Sequence, residues 1–349
     1  MAHLHMQHHP NNKQTPASRF QLYQSGKFSL LLSILILVGW FLVLGVVFTG
    51  RQQISDWIAL RNYQPPATIA ALATQDTMTD KSRNIFYVNK PAITQKSDFN
   101  ASCPSSSREQ TIVLGCYRSN QAGIYLLNVD DARLNGVVQV TAAHEMLHAA
   151  YDRLSGSERQ RVDAMLMDFY KTVTDQRIRQ TIDGYRVSEP NDVVNEMHSI
   201  FGTEITDLPP GLEAYYSQYF TNRKQIAQFA DQYEQEFSSR KTQVEEDDKQ
   251  LTGLKKQISD TEANLKQQQT DITTSRQHLE SLQASGDIAS YNAGVPGYNK
   301  QVSDYNAGVQ SVQRLVDQYN TLVVARNAVA SEITALTDAL SSSVAPIQK

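Results

Sequence analysis

Val244, Leu251, Ile258, Leu265, Ile272 and Leu279 recur at intervals of seven residues without a miss. A helix with that period lays an apolar seam against a second helix. The companion positions are mostly polar (Thr261, Gln268, Ser275), so the seam is narrow. A second series runs Tyr298, Val302, Tyr305, Val309, Val312, Val316, Tyr319, Val323 and on through Arg326 to Ala330 and Ile333. Tyr-Asn recurs within it and just before it, at 291, 298, 305 and 319. Ser285–Gly297 separates the two series, and its Gly286, Gly294, Pro296 and Gly297 are expected to break the helix. The arms are of similar length, roughly 65–70 Å at 1.5 Å per residue. The simplest fold is an antiparallel α-helical coiled-coil hairpin over residues 234–341, followed by a short tail, 342–349. Two open helices pairing with another chain are the alternative. Spacing, a protein partner or self-association are the roles such a hairpin serves.

The other end of the chain is of a different kind. Residues 1–27 are polar, carry Lys13, Arg19 and Lys27, and hold no acidic residue. Their His3, His5, His8 and His9 suit a polar extension better than a metal site. Phe28–Thr49 is then an uncharged apolar run of about twenty residues, long enough to span a bilayer. It exceeds the 7–15 residues of a cleaved signal core. A transmembrane signal anchor is therefore expected at 28–50. The preceding positive charge puts the N-terminus in the cytoplasm. The expected location is the cell membrane, single-pass, with everything after residue 50 extracytoplasmic. The net charge of −4 gives no reason to expect nucleic acid as a partner.

Residues 51–83, with Pro65-Pro66, are expected to form a stalk. Three strand-like runs follow at Asn84–Val88, Thr111–Tyr117 and Gly123–Val129. The two cysteines, Cys103 and Cys116, lack metal-pair spacing. Outside the cytoplasm they would form one disulfide closing a short loop. Helices come next: one after Gly136, one capped by Ser157, one over Gln176–Ile182 and one opened by Pro190. The expected fold class is α+β, with an N-terminal transmembrane helix, a domain over 84–233 built from a small sheet and metal-binding helices, and the C-terminal hairpin.

Within that domain stands His144-Glu145-Met146-Leu147-His148. Residues four apart share one face of a helix, about 6 Å along its axis. Two imidazoles so placed converge on one metal ion, and Glu145 reaches a water beside it. This is the H-E-x-x-H pattern of zinc peptidases. Chance produces it in roughly one chain in a hundred of this length. No other charge or proline falls in Thr141–Ala150, as a buried metal-bearing helix requires.

A catalytic zinc takes three protein ligands and leaves one position open. On the helix opened by Pro190, Asp192, Asn195, Glu196 and Ser199 share the polar face. Glu196 is the favoured third ligand, and His198 and Glu204 are its rivals. The motif resembles that of the zincin superfamily of metallopeptidases. Asn195-Glu196-x-x-Ser199 is similar to the N-E-x-x-S string of thermolysin-like gluzincins, and Ile200-Phe201-Gly202-Thr203 echoes that family too. The resemblance implies Zn²⁺ held by His144, His148 and Glu196, with Asn195 and Ser199 close to the site. It implies Glu145 as general base in peptide hydrolysis, and a substrate peptide paired along the strand before the metal helix, here Gly123–Val129. The oxyanion donor stays open among His198, Tyr185, Tyr215 and Tyr216. The rival expectation is a non-catalytic cell-envelope scaffold working through its coiled coil.

Overall fold

The computed structural model describes Leu30 and residues 32–45, 50–103, 114–119 and 121–342. The chain divides into two units, residues 1–64 and 65–349. In the first, residues 32–45 are helical with exposed apolar side chains, and α1 follows at Arg51–Leu60. Among the described residues, no helix is long and apolar enough to cross a membrane. That overturns the transmembrane helix expected at 28–50. Phe28, Ser29, Leu31 and residues 46–49 lie outside the described residues, as do residues 1–27, 104–113 and 343–349.

The α+β class is corrected as well: the described residues are predominantly helical, with one small three-stranded sheet among them. Helices α2 (Ala67–Gln75) and α3 (Asp80–Val88) open the second unit. Ile69, Leu72, Ala73 and Met78 are core residues, so residues 65–83 are built into the domain and are not a stalk. Asn84–Val88, expected as a strand, ends α3. The Thr79 side chain caps that helix by accepting from the Ser82 N–H, and Ser82, Ile85 and Phe86 are buried at helical spacing.

The sheet holds β1 (Ala92–Thr94), β2 (Gly115–Arg118) and β3 (Gly123–Leu127) in the order β1-β3-β2. β1 runs parallel to β3 and β2 antiparallel to it, with Cys116 opposite Tyr125. Of the strand expected over Thr111–Tyr117, residues 111–113 lie outside the described residues. Ile124 and Leu126 face the main core, while Leu127 packs on the other side with Phe99 and Cys103. Phe99 belongs to the short α4 (Lys96–Ser102). Cys103, just past its end, is disulfide-bonded to Cys116 of β2.

The central helix is α5 (Val137–Asp152), buried from Val140 to Tyr151 except at His144. It starts at Gly136, whose φ of +102° suits glycine, and a Cβ there would stand 2.9 Å from Phe229 Cβ. Around it lie α6 (Gly156–Tyr170), α7 (Gln176–Ser188), α8 (Val193–Glu204) and α9 (Pro210–Tyr216). The cap of α6 is Ser155 with Glu158 in a capping box, two residues before the expected Ser157. α7 continues through Gly184 to Ser188, and α8 runs past Gly202. Gly202 faces Leu147 and Tyr216, where a Cβ would collide with both, so its role is to let α8 approach α5. Arg223 holds the far end of α8. Its guanidinium donates to the carbonyls of Ile205 at 2.6 Å and Thr206 at 2.7 Å and pairs with Glu213.

The heptad series form α10 (Arg223–Ala284) and α11 (Ile288–Leu340), folded back at Ser285-Gly286-Asp287. The break is shorter than expected, because α11 runs through Gly294, Pro296 and Gly297. Two of the glycines serve packing. A Cβ on Gly294 would stand 2.8 Å from Leu279 Cδ2, and one on Gly308 would stand 2.7 Å from Leu265 Cδ2. Leucine knobs of α10 thus seat directly on the α11 backbone. Around Gly297 the space is open.

Opposite signs are therefore expected at two glycines of one helix. Gly308→Val overpacks the seam and costs about 1–3 kcal/mol, while Gly297→Ala gains about 0.5–1 kcal/mol. Urea unfolding followed by helicity measures both. Arg223→Met strips the α8 terminus of its donors and leaves Glu213 unpaired. A loss on the order of 3 kcal/mol is expected in the same assay.

Candidate metal centre

His144 and His148 lie one turn apart on α5, with ring centroids 4.8 Å apart. Glu196 enters from the first turn of α8, whose N-terminal dipole favours a carboxylate. One donor atom from each of the three lies within 4.8 Å of the others. Glu196 Oε2 is 3.6 Å from His144 Nε2, and Oε1 is 3.4 Å from His148 Nε2. Hydrogen bonds of this kind are shorter, 2.7–3.2 Å. Glu196 Oε2 is buried without a hydrogen-bond partner. Two imidazoles and a carboxylate with an orphaned, buried oxygen form a set that could hold a metal ion.

Burial pushes the Glu196 carboxyl up, but the His148 imidazole, His144 and the Tyr185 hydroxyl together outweigh it and hold it below the usual range. The group is therefore a carboxylate at neutral pH, the form a metal requires.

The triad opens on a cleft of about 880 Å³. Glu145 and Asn195 line it with the three ligand candidates, so most of the expected site residues are brought together. Asn195 Oδ1 has no hydrogen-bond partner. Ser199 is fully buried beneath, its hydroxyl likewise unpartnered, and does not border the cleft.

The rival ligands are placed elsewhere. His198 is fully buried, two residues and so about 200° round the helix from Glu196. Its Nε2 meets the Tyr215 hydroxyl at 2.9 Å. Burial, with the nearby His148 and His144, pushes its pKa down to about 3, so the ring is neutral. Glu204 borders the cleft but is held by Arg177 at 2.6 Å, which also reaches Glu234 at 3.5 Å. Of the four oxyanion candidates, Tyr216 is spent on the His198 carbonyl at 2.7 Å and Tyr215 on the His198 ring. Tyr185 is the one that faces the cleft.

Three features escaped the sequence. The edge strand beside the site is β2, because β3 is the central strand, so Gly123–Val129 cannot take a peptide as expected. Tyr117 of β2 borders the cleft, and burial together with a hydrogen bond to Asp152 pushes its pKa up to about 12. Asp152 is the signal that could have been seen, four residues beyond His148 on the same helix face. The third is the wall formed by Tyr233, Glu234 and Leu340, at the base of the hairpin.

Comparison with protein-family models, with curated proteins and with solved structures finds no match for this chain.

Zinc titration separates the ligands. Glu196→Ala is expected to weaken zinc binding by more than about 100-fold, since losing even an outer-shell partner costs 10–100-fold. Glu204→Ala leaves the affinity within a few-fold. An affinity unchanged in Glu196→Ala, or a loss in Glu204→Ala alone, would remove Glu196 from the site.

Proposed function

We propose that the chain is a zinc-dependent metallopeptidase. The observation that carries this reading is the convergence of His144, His148 and Glu196, with one donor atom from each within 4.8 Å of the others and Glu145 on the same cleft. The resemblance of the two motif strings to zincins supports it. Zinc in a two-histidine, one-carboxylate set supplies Lewis acidity and lowers the pKa of water towards neutrality.

The residues then divide the work. Glu145 takes a proton from the attacking water onto its carboxylate. It returns that proton to the leaving amine as the C–N bond breaks. Tyr185 lines the cleft with its hydroxyl engaged on Glu196, and it would turn that hydrogen to the oxyanion. The substrate lies along β2. Leu114 accepts from the Leu127 N–H at 2.8 Å, so alternation in an antiparallel ladder turns the N–H and C=O of Gly115 and Tyr117 away from β3. Those groups can pair with an extended peptide. The Cys103–Cys116 bridge supports an oxidising compartment for this domain.

Zinc-loaded protein is expected to bind one equivalent of metal and to cleave a mixed peptide library. Glu145→Gln is expected to retain the zinc and lose about 10²–10⁴ in kcat. A protein that binds no zinc, or a Glu145→Gln variant with unchanged cleavage, would favour the non-catalytic scaffold instead.

A further inference from the structure

Strand β2 does more than border the cleft. Its first residue, Gly115, lies across the face of α5 that carries Glu145. A Cβ built on Gly115 would stand 2.7 Å from Glu145 Oε1, 2.8 Å from Glu145 Cγ and 2.6 Å from Thr141 Cγ2. Real Cβ atoms do not approach heavy atoms so closely. The backbone does not account for the glycine, since Gly115 is not among the residues with positive φ. Space in front of Glu145 does.

The surroundings decide which atom would yield. The strand is held on both sides of Gly115. Leu114 accepts from the Leu127 N–H at 2.8 Å, and Cys116 is bridged to Cys103 at the end of α4. Thr141 is held too, because its hydroxyl donates to the Val137 carbonyl at 2.8 Å and so fixes where its methyl points. Glu145 is the longer and more flexible of the two neighbours, and its carboxylate is the part that can swing away.

We infer that Gly115 is a positioning residue for Glu145: the missing side chain leaves the space in which the carboxylate faces the cleft beside His144 and His148. The catalytic part of this inference rests on the metallopeptidase reading, while the geometric part does not. It adds a requirement outside both motif strings, on a residue 30 positions before Glu145.

Gly115→Ala in the full-length, zinc-loaded chain tests it. Zinc stoichiometry and affinity are expected to match the parent, and KM to stay within about twofold. The kcat is expected to fall by about 10–100-fold, the cost of misplacing a reacting group by about 1 Å. A double-mutant cycle with Glu145→Gln separates positioning from general damage. If Gly115 acts through Glu145, Gly115→Ala changes the residual rate of Glu145→Gln little. Should Gly115→Ala not fold, Gly115→Ala with Thr141→Ser removes the rigid methyl contact and keeps the conflict with Glu145. A crystal structure of either variant reads the geometry without any assay. A displaced Glu145 carboxylate supports the inference. An unmoved carboxylate with a shifted β2, an unchanged kcat, or a loss that adds to that of Glu145→Gln overturns it. A parent protein without zinc or cleavage would instead sink the metallopeptidase reading, and the crystal structure would still decide the geometric part.

Discussion

The close approach of α8 to α5 is the contact on which the site depends. Met197, Ile200 and Phe201 are buried in the core, and Gly202 presents bare backbone to Leu147 and Tyr216. Arg223 gathers the carbonyls just beyond the helix and fixes that end. With the far end fixed, the first turn of α8 can present Glu196 to the two histidines of α5. Burying a carboxylate costs several kcal/mol unless partners offset it. Here the offset comes from two imidazoles, a tyrosine hydroxyl and the start of a helix, and one carboxylate oxygen is left over. That remainder leaves the three side chains able to hold a metal ion.

Beneath the site the same helix turns its other side to aromatic groups. His198 packs against Tyr151, Tyr215 and Tyr216 with centroids between 5.2 and 5.5 Å. Tyr215 takes its ring nitrogen and Tyr216 its carbonyl. A histidine so enclosed is neutral and stationary, and it anchors α8 from behind while Glu196 works in front. Two residues of separation on a helix suffice to split these roles, since they place the side chains about 200° apart. Helix α5 is treated alike: its inner residues are buried, and His144 alone within the motif is partly exposed.

The legible parts of the sequence were those governed by short-range periodicity. A spacing of four fixes the histidine pair on one face, and spacings of seven mark the two long helices. What could not be read depended on pairings between distant residues or on competing periods. NIFYV carries apolar residues that suit either a strand or the end of a helix, and the Thr79 cap decided for the helix. Strand order is a non-local property, so proximity in sequence to α5 points to β3 as the edge that β2 in fact occupies. The apolar run at 28–49 has the composition and length of a membrane span, whereas no described helix is long and apolar enough to cross a membrane. Gly115 left no local trace, because its constraint comes from a helix that begins more than twenty residues later.

The hairpin shows the same limit in another form. A change to polar, heptad-patterned composition near residue 234 suggested a domain boundary there. The structure has one uninterrupted helix across that point, 62 residues from Arg223 to Ala284. Its first turns bury Ile226, Ala227, Ala230 and Tyr233, so they belong to the core before the helix leaves it. Tyr233 and Glu234, on either side of the supposed boundary, both line the cleft, and Leu340 joins them from the end of α11. Composition changes at 234 because the helix passes from core to solvent, not because one folding unit ends. A helix has no hinge at a change of composition, since its hydrogen-bond ladder is indifferent to what the side chains meet. The cleft wall and the hairpin are therefore parts of one rigid element, and a cut at 234 would take away part of the cleft along with the coiled coil.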